Sequence, residues 1–188
     1  LEPATGKVTL LSPPSGWGPR AVESIALEGE AIWFACWDGV RRYDAATREW
    51  THFGVSQGLV HPVVWAVRPD REHLWVGTTR GVTRLSKSDG AVETFTRADG
   101  LPDDMVWGIA RHGESVYFAT AAGGLAEYHS PSRRWRTIAS AQGLASDEVY
   151  CVALRESAQA DGERARREDL WVGTYAGASR READGRLS

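Results

Sequence analysis

The stretch LWVGT occurs twice in this chain, at residues 74–78 and again, letter for letter, at residues 170–174. Two related stretches, IWFAC at residues 32–36 and VYFAT at residues 116–120, also carry an aromatic residue second and a small residue fourth. The aromatic residues are Trp33, Trp75, Tyr117 and Trp171, at intervals of 42, 42 and 54 residues. A period of this length predicts stacked modules or the blades of a propeller.

A second marker keeps the same period. Glycines occur at positions 16, 58, 100 and 143, and the last three are followed by leucine. A short apolar run follows each glycine, at residues 22–25, 64–67, 106–109 and 149–152. Paired apolar positions also precede each glycine, so each glycine is expected to lie in a turn between two strands.

The order of these features within one unit predicts four strands joined by short turns. Residues typical of strands dominate, turns are rich in Gly, Asp and Ser, and a helical period is nearly absent. We therefore predict an all-β fold, a β-propeller of four-stranded antiparallel blades with four repeats in this chain. The expected blades are residues 17–58, 59–100, 101–143 and 144–188, preceded by a fourth strand within 1–16 and with an insertion near 157–169.

Face-to-face packing of blades explains why the stretch LWVGT occurs twice. Trp75 and Gly77 lie on one face of their strand because side chains alternate. The small residue at positions 35, 77, 119 and 173 leaves room for an adjacent blade, and the aromatic residue two positions earlier fills the wedge between sheets.

Composition limits the classes of function. The 188 residues include nine tryptophans and carry a net charge of -3 from 22 basic and 25 acidic residues dispersed along the chain, which disfavours nucleic acid as a partner. No apolar stretch is long enough to insert directly in a membrane. Cys36 and Cys151 lack metal or redox spacing and are expected to be small buried residues.

The two ends of the sequence occupy overlapping repeat positions. Residues 1–8 align with residues 43–50, and residues 181–188 fall in the same hairpin of the repeat. The overlap favours a segment of a longer propeller continued by further blades. A closed four-bladed ring and completion by a homo-oligomer remain the alternatives, because both would protect exposed sheet edges.

Two longer stretches resemble a known family. DGLPDDMVWGIARHGESVYFATAAGGLAEY at residues 99–128 and HLWVGTTRGVTRL at residues 73–85 resemble the two-component regulator propeller repeat, which reads approximately D-G-L-P-S-N-x-V, a spacer, L-W-I-G-T and G-G-L. The resemblance covers essentially the whole chain. Val60 and Ala145 depart from it where Pro102 conforms, and the doubled glycine occurs only at Gly123-Gly124.

The resemblance implies a sensory role. Repeats of that family build large periplasmic or extracellular sensor regions of bacterial proteins, often ahead of a transmembrane helix and a histidine kinase, and many members respond to glycans. It implies a sensor or scaffold module rather than a catalyst, and a periplasmic or extracellular location if the chain is part of a sensor. Fold alone does not decide function.

Candidate site residues belong to two kinds of loop that share one face of a propeller. The loops from a fourth strand to the next first strand contain Trp17, Gln57, His61, Asp99, Asp103, Asp104, Gln142, Asp147 and Glu148. The loops from a second to a third strand contain Trp37, Asp38, Arg80, Ala122 and Tyr175. The ligand-binding candidates are Trp37, Asp38, Arg80 and Tyr175, together with Glu23, Trp65, Trp107 and Tyr150 from the predicted first strands.

The last four candidates occupy one equivalent position in each repeat. The three aromatic residues could stack on sugar rings or hold a peptide, although packing between blades is the interpretation we favour for such a cluster. Trp37 lies beside Asp38 in a turn. It is the better candidate for an exposed stacking platform, with an ordinary loop anchor as the alternative.

Acidic pairs at Asp103-Asp104 and Asp147-Glu148 suggest Ca²⁺ binding or acid–base chemistry, but turn capping explains them better. The histidines occupy different repeat positions, and no G-x-S-x-G, H-E-x-x-H or P-loop spacing occurs. We expect no metal, no cofactor and no catalytic residue.

A noncatalytic sensor or interaction module is therefore the leading hypothesis, with a glycan, a peptide or a partner domain as ligand. One alternative is a carbohydrate-active lyase or hydrolase that uses the acidic pairs with His61. Another is a purely structural scaffold whose channel is plugged by Trp65, Trp107 and Tyr150.

Overall fold

The computed structural model describes residues 10–17, 21–157, 167–182 and 187, and within these ranges the chain folds into short antiparallel strands. The first sheet contains β1 (Val22–Glu28), β2 (Ala31–Cys36), β3 (Gly39–Asp44) and β4 (Trp50–Phe53). The second contains β5 (Val64–Pro69), β6 (His73–Thr78), β7 (Gly81–Ser86) and β8 (Val92–Phe95).

The third and fourth sheets repeat this plan. The third contains β9 (Val106–His112), β10 (Ser115–Thr120), β11 (Leu125–His129) and β12 (Arg134–Ile138). The fourth contains β13 (Val149–Ser157), β14 (Arg167–Thr174) and β15 (Gly177–Arg181), with an isolated bridge from Arg181 to Leu187. Every sheet pairs its strands in chain order. The predicted all-β fold, a β-propeller built from antiparallel blades, is confirmed.

Two predicted segments lie wholly or partly outside the described residues. Of the fourth strand expected within residues 1–16, the structure describes residues 10–16, and these are not in a strand. Of the insertion near residues 157–169, the structure describes its two ends, which lengthen β13 and β14 into a long hairpin.

The blades follow one another through their first strands, with β1 packed against β5, β5 against β9 and β9 against β13. Each pair of neighbouring sheets encloses one apolar core. The core between the second and third blades contains Trp75, which is 1% exposed, and Phe118, which is fully buried. These cores supply the apolar burial that stabilises the fold.

In the second and third blades, the repeated aromatic and small residues pack as the sequence predicts. Trp75 and Tyr117 are buried, and a Cβ added to Gly77 would lie 2.8 Å from Cγ1 of Val106 in the next blade. Gly77 does not have a positive φ, so its backbone would accept another residue. The glycine is therefore required for space rather than for conformation.

The described blades form an open arc. Val22 and Ile25 at the start of the first blade are 49% and 59% exposed, and Trp171 in the last blade is 38% exposed. Their counterparts inside the arc, such as Val64 and Trp75, are 0% and 1% exposed. Closure into a four-bladed ring would bury both ends, so the described part of the chain does not form the closed ring that was one alternative.

The cysteines have different environments. Cys36 is buried, as predicted, and burial raises the pKa of its thiol. Cys151 is exposed, so the prediction of a buried residue was wrong there. It lies on the first strand of the last blade, and in the described residues no further blade covers that strand.

Polar contacts also hold the turns and join neighbouring blades, and Asp70 takes part in both. Its carboxylate accepts hydrogen bonds from the backbone N–H groups of Glu72 and His73 at 2.8 Å and from Nε1 of Trp75 at 2.9 Å. Arg111 of the next blade lies 3.0 Å away. Burial raises the pKa of Asp70, but these hydrogen bonds and the guanidinium outweigh it, and the net pKa is lowered.

Replacement of Trp75 should cost far more stability than replacement of an exposed tryptophan. We expect Trp75→Ala to lower the free energy of unfolding by about 3–5 kcal/mol, because it leaves a cavity between two blades. Trp37→Ala, at a side chain that is 52% exposed, should cost about 1 kcal/mol or less. Urea denaturation compares the two variants, and equal losses would contradict the packing described.

Asp70 should make the fold sensitive to acid. An unfolded aspartate has a pKa of about 3.9, and the folded value is lower. The stabilisation is therefore complete above about pH 4 and is lost as the pH falls through the folded pKa. Asp70→Asn should be less stable by about 2 kcal/mol at neutral pH and lose less on acidification.

The control for Asp70→Asn is Glu30→Gln, which removes an exposed carboxylate. Urea denaturation at neutral pH and at several pH values below about 4 measures both variants. An acid profile of Asp70→Asn that parallels the unmodified protein would contradict the role assigned to Asp70.

Candidate functional site

Each first strand contains a β-bulge at its second residue. The register moves from Val64 opposite Thr78 to Ala66 opposite Gly77, so Trp65 is the extra residue. The same shift occurs in the other three blades, and the four bulged residues are Glu23, Trp65, Trp107 and Tyr150. A bulge redirects a side chain without disturbing the rest of the strand. The four candidates predicted at one equivalent position of each repeat are therefore the extra residues of these bulges. They lie outside the regular alternation of side chains along their strands.

The bulge explains why these four residues lie outside the cores. Val64 and Val67 lie in the same core, between the first and second blades, although they are three residues apart and a regularly alternating strand would turn them to opposite faces. Trp65, the bulged residue between them, is half-buried. Its equivalent in the last blade, Tyr150, is 44% exposed. The buried cores between blades do not include these aromatic residues, although Trp107 and Tyr150 pack on each other across two blades, as the favoured interpretation expects.

The recurrent Gln-Gly-Leu or Asp-Gly-Leu loops have a structural role. In each loop a short 3-10 turn ends at Gly58, Gly100 or Gly143, all with φ of 100–117°. The preceding Asp99 accepts a hydrogen bond from the backbone N–H of Thr96 at 2.8 Å, as Gln57 and Gln142 do from their own turns. The leucine that follows is buried in every case. The loop is held by its own backbone, and left-handed φ favours glycine at its end.

The acidic pairs serve the same loops. Asp104 accepts a hydrogen bond from the backbone N–H of Arg97 at 2.7 Å, and Asp147 accepts one from Ser140 at 2.5 Å. Asp103 accepts one from the N–H of Met105 at 2.9 Å. The capping role that we favoured for the acidic pairs is confirmed for Asp103, Asp104 and Asp147, whereas the carboxylate of Glu148 accepts a hydrogen bond from the hydroxyl of Tyr150.

Trp37 and its neighbours form an open cavity at the loop face. The cavity has a volume of about 540 Å³ and is lined by Trp37, Asp38, His52, Gly54, Val55, Ser56 and Pro62. Nε1 of Trp37 donates a hydrogen bond to Glu23 at 2.7 Å, which ties the turn after β2 to the bulge of β1. Asp38 pairs with Arg41 at 2.7 Å. The partly exposed indole of Trp37 is thus held next to charged and polar side chains.

The bulged aromatic residues of the third and fourth blades meet each other. Trp107 and Tyr150 stack with ring centroids 5.0 Å apart and an interplanar angle of 18°. The hydroxyl of Tyr150 donates to Glu148 at 2.8 Å, and this hydrogen bond raises the pKa of the phenol. Tyr175, in the turn after β14, is 73% exposed and donates its backbone N–H to the carbonyl of Glu148 at 3.0 Å.

The candidates of the second blade are Trp65 and Arg80. Nε1 of Trp65 donates to the hydroxyl of Thr79 at 3.1 Å, so this bulged residue is also tied to the turn after a second strand. Arg80 is exposed in that turn, and its backbone N–H donates to Thr78 at 3.1 Å. The eight candidates therefore fall into a group around Trp37, a group around Tyr150 and the pair at Trp65 and Arg80.

This arrangement is suited to stacking and hydrogen bonding. Exposed aromatic faces with adjacent carboxylates and amide groups recognise flat or ring-shaped ligands. Among the residues that the structure describes, no group of three or more His, Cys, Asp or Glu is placed to hold a metal ion. The described helices also include none that is long and apolar enough to cross a bilayer.

The hydrogen bond from Tyr150 to Glu148 can be tested by titration. The negative carboxylate disfavours the phenolate, so Glu148→Gln should lower the pKa of Tyr150 towards its ordinary value of about 10. Absorbance of tyrosinate during alkaline titration measures the change, and Tyr150→Phe identifies the contribution of that one residue. Identical titrations of the unmodified protein and Glu148→Gln would contradict the assignment.

Known structures resemble this chain in fold. The extracellular domain of the hybrid two-component system BT3049 from B. thetaiotaomicron aligns with 94% of this chain and 25% of its own length, with 16% identity and a TM-score of 0.71. The corresponding domain of BT4673 aligns with 92% of this chain and 22% of its own, with 20% identity and a TM-score of 0.66. The chain thus spans about a quarter of the length of these sensor domains.

An enzyme also shares the fold. An ancestral GH74 enzyme aligns with 85% of this chain and 22% of its own length, with 16% identity and a TM-score of 0.59. No family model and no curated protein matches the sequence. At these identities the likeness establishes the propeller fold, which is compatible with sensing and with catalysis.

Proposed function

We propose that this chain is a noncatalytic sensor or interaction module of the two-component regulator propeller type, part of a larger bacterial sensory protein in the periplasm or outside the cell. It binds a ligand or a partner domain through the loop face. The observation that carries this proposal is the repeated bulge, which presents Glu23, Trp65, Trp107 and Tyr150 from four consecutive blades. Bulges of this kind accompany functional sites.

Two further observations support recognition by that face. Trp37 and Tyr150 remain 52% and 44% exposed although each makes a polar contact that fixes its orientation. A large aromatic side chain held rigidly in water loses little conformational entropy when a ligand stacks on it. The sensor domains that share the fold are extracellular, which agrees with the proposed location.

The noncatalytic part of the proposal rests on what the carboxylates contact. Asp103, Asp104 and Asp147 accept hydrogen bonds from backbone N–H groups of their own loops. A carboxylate that holds a loop in this way is poorly placed to abstract or deliver a proton, because it would have to give up that bond. Hydrolase or lyase activity is the competing function, and the experiment below separates the two.

Binding should depend on the exposed aromatic residues. The probes are neutral and uronic-acid oligosaccharides and short peptides, with binding followed by tryptophan fluorescence and calorimetry. We expect Trp37→Ala or Tyr150→Ala to weaken binding of a recognised probe about tenfold, a loss of about 1.4 kcal/mol. Leu27→Ala, at an exposed apolar residue of β1 that is 73% exposed, is the matched control and should bind normally.

The same probes test the competing functions. Chromatography of the oligosaccharides after incubation should show no new products. Product formation that disappears in Asp104→Asn would overturn the noncatalytic assignment. Binding that survives both Trp37→Ala and Tyr150→Ala would overturn the loop-face site and favour a plugged structural scaffold.

A further inference from the structure

A second cavity lies on the outer rim, between the second and third blades. Its lining comes from β8 of the second blade, from β11, β12 and the hairpin between them in the third, and from the loop after β8. None of the eight ligand-binding candidates lines it. Both blades that form the cavity lie inside the chain, with the first and fourth blades on either side.

The most unusual group at this cavity is the hydroxyl of Tyr128. The residue is 1% exposed, and its ring packs against Trp75, Phe95 and Trp135. The hydroxyl is buried as well, and among the residues that the structure describes it has no hydrogen-bond partner. A buried polar group without a partner costs free energy. Because Tyr128 lines the cavity, a molecule bound there can supply the missing partner.

Charges of both signs surround the cavity. The carboxylate of Glu93 forms ion pairs with Arg84 of its own blade and with Arg133 of the next blade. The pKa of Arg133 is raised, first by the hydrogen bond to Glu93 and further by the nearby Tyr128, so the guanidinium and the phenol are neighbours. Asp99 adds a second carboxylate. The cavity therefore offers acceptors to an ammonium group and donors to a carboxylate.

The backbone of Arg133 is strained. Its φ of 54° lies in the left-handed region that residues other than glycine rarely adopt. The equivalent hairpin position is Gly90 in the second blade and Arg48, with φ of 61°, in the first. Strained residues of this kind accumulate at binding sites, where the strain fixes the position of a side chain. From this position Arg133 reaches across the joint to Glu93.

The aromatic rings beside the cavity are already packed. The ring of Trp135 lies 4.8 Å from that of Tyr128 and 5.5 Å from that of Phe95, measured between centroids. A Cβ added to Gly100 would lie 2.8 Å from Cγ of Trp135, so backbone also covers the indole. Stacking of a sugar ring needs an open aromatic face. Recognition at this cavity therefore depends on charge and hydrogen bonds.

We propose that this cavity binds a small zwitterion, a free α-amino acid. The ammonium group lies between the carboxylates of Glu93 and Asp99, and the carboxylate accepts hydrogen bonds from Arg133 and Tyr128. A ligand with one charge alone would meet a like charge, whereas a zwitterion is complementary to both.

The size of the cavity agrees with such a ligand. Its volume of about 190 Å³ is below the range of about 300–1,000 Å³ that is usual for drug-sized ligands. It therefore suits one small molecule. The site lies apart from the cavity at Trp37 and does not depend on the ligand proposed for the loop face.

Calorimetric titration of the chain is the first test. The probes are glycine, serine and glutamine, with acetate, methylammonium and glucose as comparison compounds. We expect at least one amino acid to bind with a dissociation constant of about 1 mM or tighter, as suits so small a ligand. The comparison compounds, which lack one or both charges, should bind at least about tenfold more weakly.

Tyr128→Phe removes the hydroxyl alone. It should weaken binding of the amino acid about tenfold, because one hydrogen bond to its carboxylate is lost. Without ligand the variant should be as stable as the unmodified protein or more stable, since a buried hydroxyl without a partner is removed. Tyr43→Phe is the matched control. Tyr43 pairs with Trp50 as Tyr128 pairs with Trp135, in a blade that does not line the cavity, and this variant should bind normally.

Arg133→Gly removes the guanidinium while its backbone accepts the left-handed φ. It should also weaken binding about tenfold. Arg48→Gly is the matched control, because it relieves the same strain at the equivalent position of the first blade, and it should bind normally. Thermal unfolding of each variant confirms that the blades remain folded.

Absence of binding by every amino acid would overturn the proposal. Equal binding of acetate, methylammonium or glucose would overturn the assignment to a zwitterion. Binding that is unchanged in both Tyr128→Phe and Arg133→Gly would show that the amino acid binds elsewhere, which also overturns it. Trp37→Ala, which tests the loop face, should leave this binding unchanged, so the failure of one site is distinguishable from the failure of the other.

Discussion

The contact on which the rest of the structure depends is that between a small residue on one blade and a valine on the next. Where Gly77 meets Val106, a single methyl group would already come within 2.8 Å of the valine. The close approach brings Trp75 against Phe118 and Tyr128, with ring centroids 5.7 Å apart in both pairs. Because protein interiors are tightly packed, the spacing of the sheets follows from this contact.

The small position also depends on its own sheet. Ala119 is accommodated because its neighbour on the first strand is Gly108, whose added Cβ would lie 3.3 Å from that of Ala119. In the last blade the larger Cys151 stands at the equivalent position, and a Cβ on Gly173 would lie 2.5 Å from its sulfur. The glycine of LWVGT is thus required for a different reason in each copy. The valine of the next blade leaves no room for a side chain at Gly77, and Cys151 of the same sheet leaves none at Gly173.

The bulge links this packing to the candidate site. A regular first strand would turn Val64 and Val67 to opposite faces, and both are needed in the cores. The extra residue between them reconciles the strand with the cores. The residue that is displaced is Trp65, and its equivalents in the other blades include Trp107 and Tyr150. The packing of both valines in the core therefore places the bulged residues at the loop face.

Much of this architecture could be predicted from the sequence, because period and residue type determine it directly. The period of 42 residues identified the blades, and the pairing of Trp75 with Gly77 identified the face that packs. The bulges were missed because an alternating pattern was assumed, although the spacing of Val64 and Val67 by three residues is a signal of them.

Other features depend on contacts that a linear pattern does not contain. The exposure of Cys151 follows from its place on the outer blade, and the use of Asp104 and Asp147 in loop capping follows from the fold of the preceding turn. The stacking of Trp107 on Tyr150 joins two blades, so it could not be read from either repeat alone. The equivalent positions of Trp107 and Tyr150 in their repeats were predicted, but the contact between the two rings was not.

A double-mutant cycle between Gly77 and Val106 measures the central contact most directly. Gly77→Ala should destabilise the fold because its methyl group clashes with the valine, and Val106→Ala should destabilise it by loss of burial. The account predicts that the double variant is more stable than the sum of the two losses by about 1 kcal/mol or more, because each change makes room for the other. Additive losses would contradict the claim that this contact sets the spacing of the blades.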